Sequence, residues 1–171
     1  MAPRQVGDTL FAAGIGGAGV VLKLDAAKQT ATPLWEEVKV KGKEMAAKAR
    51  GVYPVNMTPF IEGGTIYAVD QPGMLRAVEL ATGKKLWFTF KPVIGKDEAE
   101  DFKGAGSGTA FLVKNGDRFF LFAETGDLVI AKLSPEKYEE VGRTKLLEPG
   151  STAFNRKVVW SHPAFANKCA F

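Results

Sequence analysis

The sequence predicts an all-β chain built from repeated four-stranded antiparallel meanders, and three observations predict it. A pattern of short strands recurs three times at a period of just over fifty residues within the 171 residues. The strands are runs of β-branched and aromatic residues bounded by Gly, Asn, Asp and Pro, the signature of short strands joined by tight turns. Several runs are apolar without clean alternation, which suits a sheet covered on both faces by neighbours of its own kind. Units repeating at this period cannot bury their apolar faces alone and must stack. Four-stranded sheets stacked radially form a β-propeller, with about three blades in this chain.

The first copy, residues 7–37, supplies Asp8 to Ala13, Val20 to Asp25 and Leu34-Trp35-Glu36 as second, third and fourth strands, with no first strand before them. A basic connector, residues 38–54, follows; its Lys41 to Arg50 stretch reads as a short helix or a solvated loop. The second copy, residues 55–91, is the clearest: Thr58-Pro59-Phe60-Ile61, Thr65 to Val69, Leu75 to Leu80 and Leu86 to Phe90, with Gly63-Gly64 as a hairpin turn and a second turn closing at Gly73. A mixed-charge connector, residues 92–107, leads to the third copy, residues 108–147. There Thr109 to Val113, Arg118 to Ala123, Leu128 to Leu133 and Tyr138 to Thr144 are the strands, and Asn115-Gly116-Asp117 and Thr125-Gly126-Asp127 the turns. Residues 157–168 read as the first strand of a further blade, centred on Val158 to Phe165, with Cys169-Ala170-Phe171 beginning a second.

The run from Met74 to Trp87, with Ala77-Val78-Glu79-Leu80-Ala81-Thr82-Gly83-Lys84 at its centre, resembles the quinoprotein-type (pyrroloquinoline quinone-like) repeat. Val21 to Lys28 with Leu34-Trp35 is a looser copy, and in the third copy Tyr138 stands near the tryptophan position. The resemblance implies a propeller and covers most of the chain. It does not imply one activity, because the family holds quinone-dependent dehydrogenases and a non-enzymatic lipoprotein that assists outer-membrane protein assembly. Its dehydrogenases carry a pair of adjacent cysteines against the cofactor; the single Cys169 cannot supply that pair, so pyrroloquinoline quinone is not expected as a cofactor.

With 46% hydrophobic residues and nineteen glycines, the chain has enough apolar mass for a core and enough turn formers for short strands. No apolar run approaches the roughly 20 residues of a membrane-spanning helix, and Met1-Ala2-Pro3-Arg4-Gln5 lacks the pattern of a signal peptide. The expectation is a soluble chain, cytoplasmic as expressed, from a family whose members are often exported. The net charge of +4 is concentrated in the first connector without interleaved aromatics, so no nucleic-acid partner is expected.

Chemistry is sparse. No P-loop, nucleophile elbow, HExxH or paired CxxC occurs, and the glycines of residues 14–19 precede a strand rather than the helix a phosphate cradle needs. His162, the only histidine, is the candidate acid or base. Asp70 and Glu124, at what read as equivalent positions after the second strands, are candidate metal ligands together with Asn56, since calcium accepts loose sets of hard oxygens. Thr58, Ser107 and Thr109 are further candidates for the lining of the central channel.

Two functions follow. The first is a propeller scaffold or ligand-binding module with a small-molecule site at a channel mouth. The alternative is a calcium-assisted hydrolase of lactones or esters, in which the metal polarises the carbonyl and His162 relays the proton. A spare last strand beside a first blade lacking one also predicts closure by strand exchange into a homodimer; a segment of a larger ring is the competing account.

Overall fold

A computed structural model of the chain describes residues 2–14, 19–36, 50–97 and 108–171. The readings of the Lys41 to Arg50 stretch, of the middle of the 14–19 glycine segment and of Ser107 fall largely or wholly outside these residues. Three four-stranded antiparallel meanders follow one another. Blade 1 holds β1 (Arg4–Val6), β2 (Thr9–Ala12), β3 (Val20–Asp25) and β4 (Thr30–Glu36). Blade 2 holds β5 (Phe60–Glu62), β6 (Thr65–Asp70), β7 (Met74–Glu79) and β8 (Lys85–Thr89), and ends in the single helical turn α1 (Lys91–Ile94). Blade 3 holds β9 (Ala110–Asn115), β10 (Arg118–Ala123), β11 (Asp127–Leu133) and β12 (Tyr138–Lys145). Two hairpins close the chain, β13 (Ser151–Ala153) with β14 (Arg156–Val158), and β15 (Phe165–Ala166) with β16 (Cys169–Ala170).

Two expectations are corrected. Blade 1 has its first strand: Arg4, Gln5 and Val6 pair with Phe11, Leu10 and Thr9 across a two-residue loop made possible by Gly7 at φ 57°. Blade 1 therefore holds no vacancy for a donated strand, and the strand count that motivated exchange no longer stands. The segment from Val158 to Phe165 is also not one continuous strand: Val158 ends β14, residues 159–164 are in no strand, and only Phe165 opens the expected first strand of a further unit, with Cys169-Ala170 as its second. The Asn167-Lys168 loop of the β15–β16 hairpin takes the same left-handed pair of conformations as Gly63-Gly64 in blade 2.

The common loops put the four blade-opening hairpins in one register. The third residue after each loop is aromatic: Phe11, Tyr67, Phe120 and Phe171. Tyr67 and Phe120 face the unit that follows, with the Tyr67 ring 6.0 Å from Phe119 and the Phe120 ring 4.9 Å from Phe165. The neighbours one residue before these aromatics, Leu10, Ile66 and Phe119, face the opposite way because strand side chains alternate, which turns Ile66 and Phe119 to the blade before. Blade 2, covered on both sides, buries every residue of β6.

The tryptophans lock adjacent blades. Trp35 in β4 donates its indole N–H to the Leu80 carbonyl of blade 2 at 2.8 Å, and Trp87 in β8 donates to the Ser134 carbonyl of blade 3 at 2.8 Å. Each sits at a bulge, opposite Val21 and Ala77 respectively. In blade 3 the same bulged position, opposite Ile130, is Gly142, so Tyr138 does not take the tryptophan's place. No helix among the described residues is long and apolar enough to cross a membrane.

Candidate functional site

All three blade-to-blade connections leave the sheet at the end that carries the turns between second and third strands, so this end gathers the irregular backbone. In blade 2 the turn runs from Asp70 to Gly73, with the Gly73 N–H donating to the Asp70 carbonyl at 2.8 Å and Gly73 at φ 81°. It is wedged against the start of blade 3. Gly108 donates to the Gln71 carbonyl at 2.6 Å, and a Cβ on Gly108 would lie 2.9 Å from the Gly73 Cα.

Asp70 is fully buried, and both of its oxygens are occupied. Oδ1 accepts the Tyr53 backbone N–H at 2.8 Å, and Oδ2 accepts Nη1 of the equally buried Arg76 at 2.8 Å. Burial raises the Asp70 pKa, opposed by the charge of Arg76 and the Tyr53 N–H. Arg76 was the legible signal for this pair: a guanidinium in the apolar run Met74-Leu75-Arg76-Ala77-Val78 needs a buried anion.

In blade 3 the Gly126 N–H donates to the Ala123 carbonyl at 2.9 Å, in the turn that matches Asp70 to Gly73. The turn glycines therefore align Asp70 with Ala123 and Glu124 with Gln71, so the two carboxylates are not at equivalent positions as the sequence suggested. Glu124 is buried, and its Oε1 accepts Arg156 Nε at 3.0 Å and Nη2 at 2.8 Å. Its Oε2 accepts the Trp160 indole N–H at 2.9 Å, and its carbonyl accepts the Val159 N–H at 2.8 Å. Glu124 thereby clamps the β13–β14 hairpin and the strand after it onto blade 3. Arg156 and Trp160, not singled out in the sequence, complete this group.

The hairpin tip is aromatic and exposed. Phe154 is 78% accessible and holds φ 50°, its ring lies 6.1 Å from Trp160, and the Arg156 guanidinium stands 5.9 Å from the Phe154 ring. A bulky residue in the left-handed region is uncommon away from functional or strained sites.

His162 is exposed, with Nδ1 2.9 Å from the Pro163 carbonyl oxygen and its ring 5.3 Å from Phe111. The groups that bond to the Asp70 and Glu124 carboxylates are the Tyr53 N–H, Arg76, Arg156 and Trp160, and not His162. Asn56 is half-buried, and the Thr58 hydroxyl oxygen accepts the Ala2 N–H at 3.2 Å. The Thr109 hydroxyl is buried without a hydrogen-bond partner among the described residues. Among those residues no three of His, Cys, Asp and Glu come close enough together to hold a metal ion. A quinone and its calcium do not fit these side chains either: Cys169 is single and exposed on β16, and the carboxylates are taken by arginines.

No family model and no curated protein matches the sequence. Solved structures do. A europium-containing methanol dehydrogenase superposes with a TM-score of 0.53 at 20% identity, over 86% of this chain and 24% of its own. The quinohemoprotein alcohol dehydrogenase ADHIIG from Pseudomonas putida HK5 gives 0.51 at 15%, over 82% of this chain and 19% of its own. BamB from Moraxella catarrhalis gives 0.52 at 12%, over 97% of this chain and 55% of its own. The chain thus has the fold of the quinoprotein-like propellers, and spans about a quarter of the dehydrogenase and about half of BamB.

Proposed function

We propose that this chain is a non-catalytic propeller unit of the quinoprotein-like type, which presents a binding surface at its connector end. The observation that carries this reading is the state of the two carboxylates. Asp70 and Glu124, the acids best placed for metal or proton chemistry, are each paired with an arginine and accept a hydrogen bond on both oxygens. They act as clamps for the connectors, and the exposed Phe154 and Trp160 rings beside the second clamp supply contact area for a ligand.

A hydrolase built on the same end requires calcium to displace Arg76 or Arg156 from its carboxylate. The expected outcome of assaying a panel of lactones and esters, with calcium and with a chelator, is no turnover above buffer. Turnover that disappears both on chelation and in His162→Ala would overturn the scaffold reading in favour of the hydrolase. Thermal melting with and without calcium adds a readout independent of substrate choice: the scaffold predicts an unchanged midpoint.

A further inference from the structure

The hairpins that open the blades share one loop length, but their loop residues differ in reactivity. In blade 3 the loop is Gly116-Asp117, between β9 and β10, and Asn115 pairs with Arg118 at its base. Residues 114–118 are all exposed. That exposure belongs to the hairpin tip: Gly63 and Gly64, the matching loop of blade 2, are exposed too, although blade 2 is covered on both sides. Of the four asparagines in the chain, Asn115 alone is followed by glycine; Asn56, Asn155 and Asn167 precede Met57, Arg156 and Lys168.

The fold leaves this dipeptide free to react. Among the described residues the Asn115 side-chain amide makes no hydrogen bond, and the Gly116 N–H donates to no carbonyl. A Cβ built on Gly116 would meet nothing within 4 Å, so the space around its nitrogen is open. An asparagine side chain carries its amide carbon at the distance where the nitrogen of the next residue closes a five-membered ring. Glycine in that next position brings no Cβ against the closure.

We propose that Asn115 is a site of spontaneous covalent modification in the folded protein. The deprotonated Gly116 nitrogen attacks Cγ of Asn115, the Cγ–Nδ2 bond breaks, and ammonia leaves with a proton taken from water, which gives a succinimide. Water then opens the ring. Cleavage of the new Cγ–N bond gives aspartate, and cleavage of the original peptide C–N bond gives isoaspartate; the sum of either route is amide plus water to acid plus ammonia, with no change of oxidation state. The two products act differently on the hairpin. Aspartate sets a carboxylate directly across from Arg118, an opposite-charge cross-strand pair. Isoaspartate routes the main chain through the side-chain carbons and inserts one atom between Lys114 and Gly116. The short loop fixes the register of β9 on β10, so the inserted atom disturbs the pairs at its base. With them goes the seat of Lys114, which binds Glu62 of blade 2 and stands 5.9 Å from the Phe60 and Phe119 rings.

The test is peptide mapping by mass spectrometry of the full chain, aged at mildly alkaline pH in buffer and, in parallel, in urea. The mass gain of an amide-to-acid exchange is expected at Asn115 first, and faster as the pH is raised, because the attacking nitrogen must lose its proton. Asn155 and Asn167, exposed as Asn115 is but followed by long side chains, are the internal controls. Asn115→Gln abolishes the gain at this position and Gly116→Ala slows it several-fold. An aspartate-specific protease distinguishes the two products. The isoaspartate fraction is expected to melt below both the fresh chain and Asn115→Asp, which carries the new charge on an unaltered main chain. Conversion at Asn115 no faster than at Asn155 and Asn167 overturns the inference. So does conversion in urea with none in buffer, which would mean that the hairpin protects the dipeptide. An isoaspartate fraction that melts with Asn115→Asp overturns the effect on register.

Discussion

Asp70 and Arg76 bring the largest energetic asymmetry to single residues. Both side chains are fully out of water, so their attraction mainly offsets the cost of desolvating them. Removing one member leaves the other charge stranded. Arg76→Met is therefore expected to destabilise the chain by about 3–5 kcal/mol, while adding Asp70→Asn to it recovers a large part of that loss. The exposed pair Lys137 and Glu139 serves as the contrast: Lys137→Ala is expected to leave the unfolding midpoint nearly unchanged, because solvent screens the pair. Urea unfolding of the four proteins measures both effects, and a double variant no more stable than Arg76→Met would show that the pair is not an energetic unit. The same residues mark a limit of the sequence. Arg76, a cation in an apolar run one turn after Asp70, signalled its own partner, but Arg156 reaches Glu124 only through a hairpin 32 residues away. Pairing across that distance is a property of the fold, which no local pattern encodes.

Among the elements, the turn that closes blade 2 shows how packing and backbone geometry combine. Gly83 sits at φ 72°, and a Cβ there would stand 2.7 Å from the Trp35 ring of blade 1. Gly63 sits at φ 56° with nothing within 4 Å of such a Cβ. Gly63→Ala therefore carries only the left-handed penalty, about 1–2 kcal/mol. Gly83→Ala carries that penalty and must also dislodge the indole that bonds to Leu80. It is expected to cost about 1–3 kcal/mol more, the range for overpacking a filled site. Denaturant midpoints compare the two, and Trp35→Phe separates the terms, because the additional loss at Gly83 should shrink when the indole is absent. The inner strands β6, β7, β9, β10 and β11 were readable because each carries a run of apolar residues beside turn formers such as Gly, Asn or Asp. β1 was not, since Arg4-Gln5-Val6 is short, exposed and two-thirds polar, and becomes a strand only by pairing with β2. The tryptophan position of blade 3 was misread for a related reason. The bulge between Ile130 and Ala131 shifts the register of β12, and residue counting along the chain does not see it.

Across the whole molecule, stability should follow the stacking. In a linear array each blade is held by its own hydrogen bonds and by the faces of its neighbours, so a blade with two neighbours opens less readily than one with a single neighbour. Blade 2 meets blade 1 through Trp35 and blade 3 through Trp87, and no residue of β6 is more than slightly accessible. β1 is exposed along its whole length, and β15 and β16 together place only Phe165 in partial shelter. Native-state hydrogen exchange is expected to find the slowest amides in β6 and β7, with β10 and β11 next, and the fastest strand amides in β1 and β16. Uniform exchange across all three blades would mean that the sheets open as one cooperative body, and that the interblade indole bonds couple them more tightly than nearest-neighbour stacking requires.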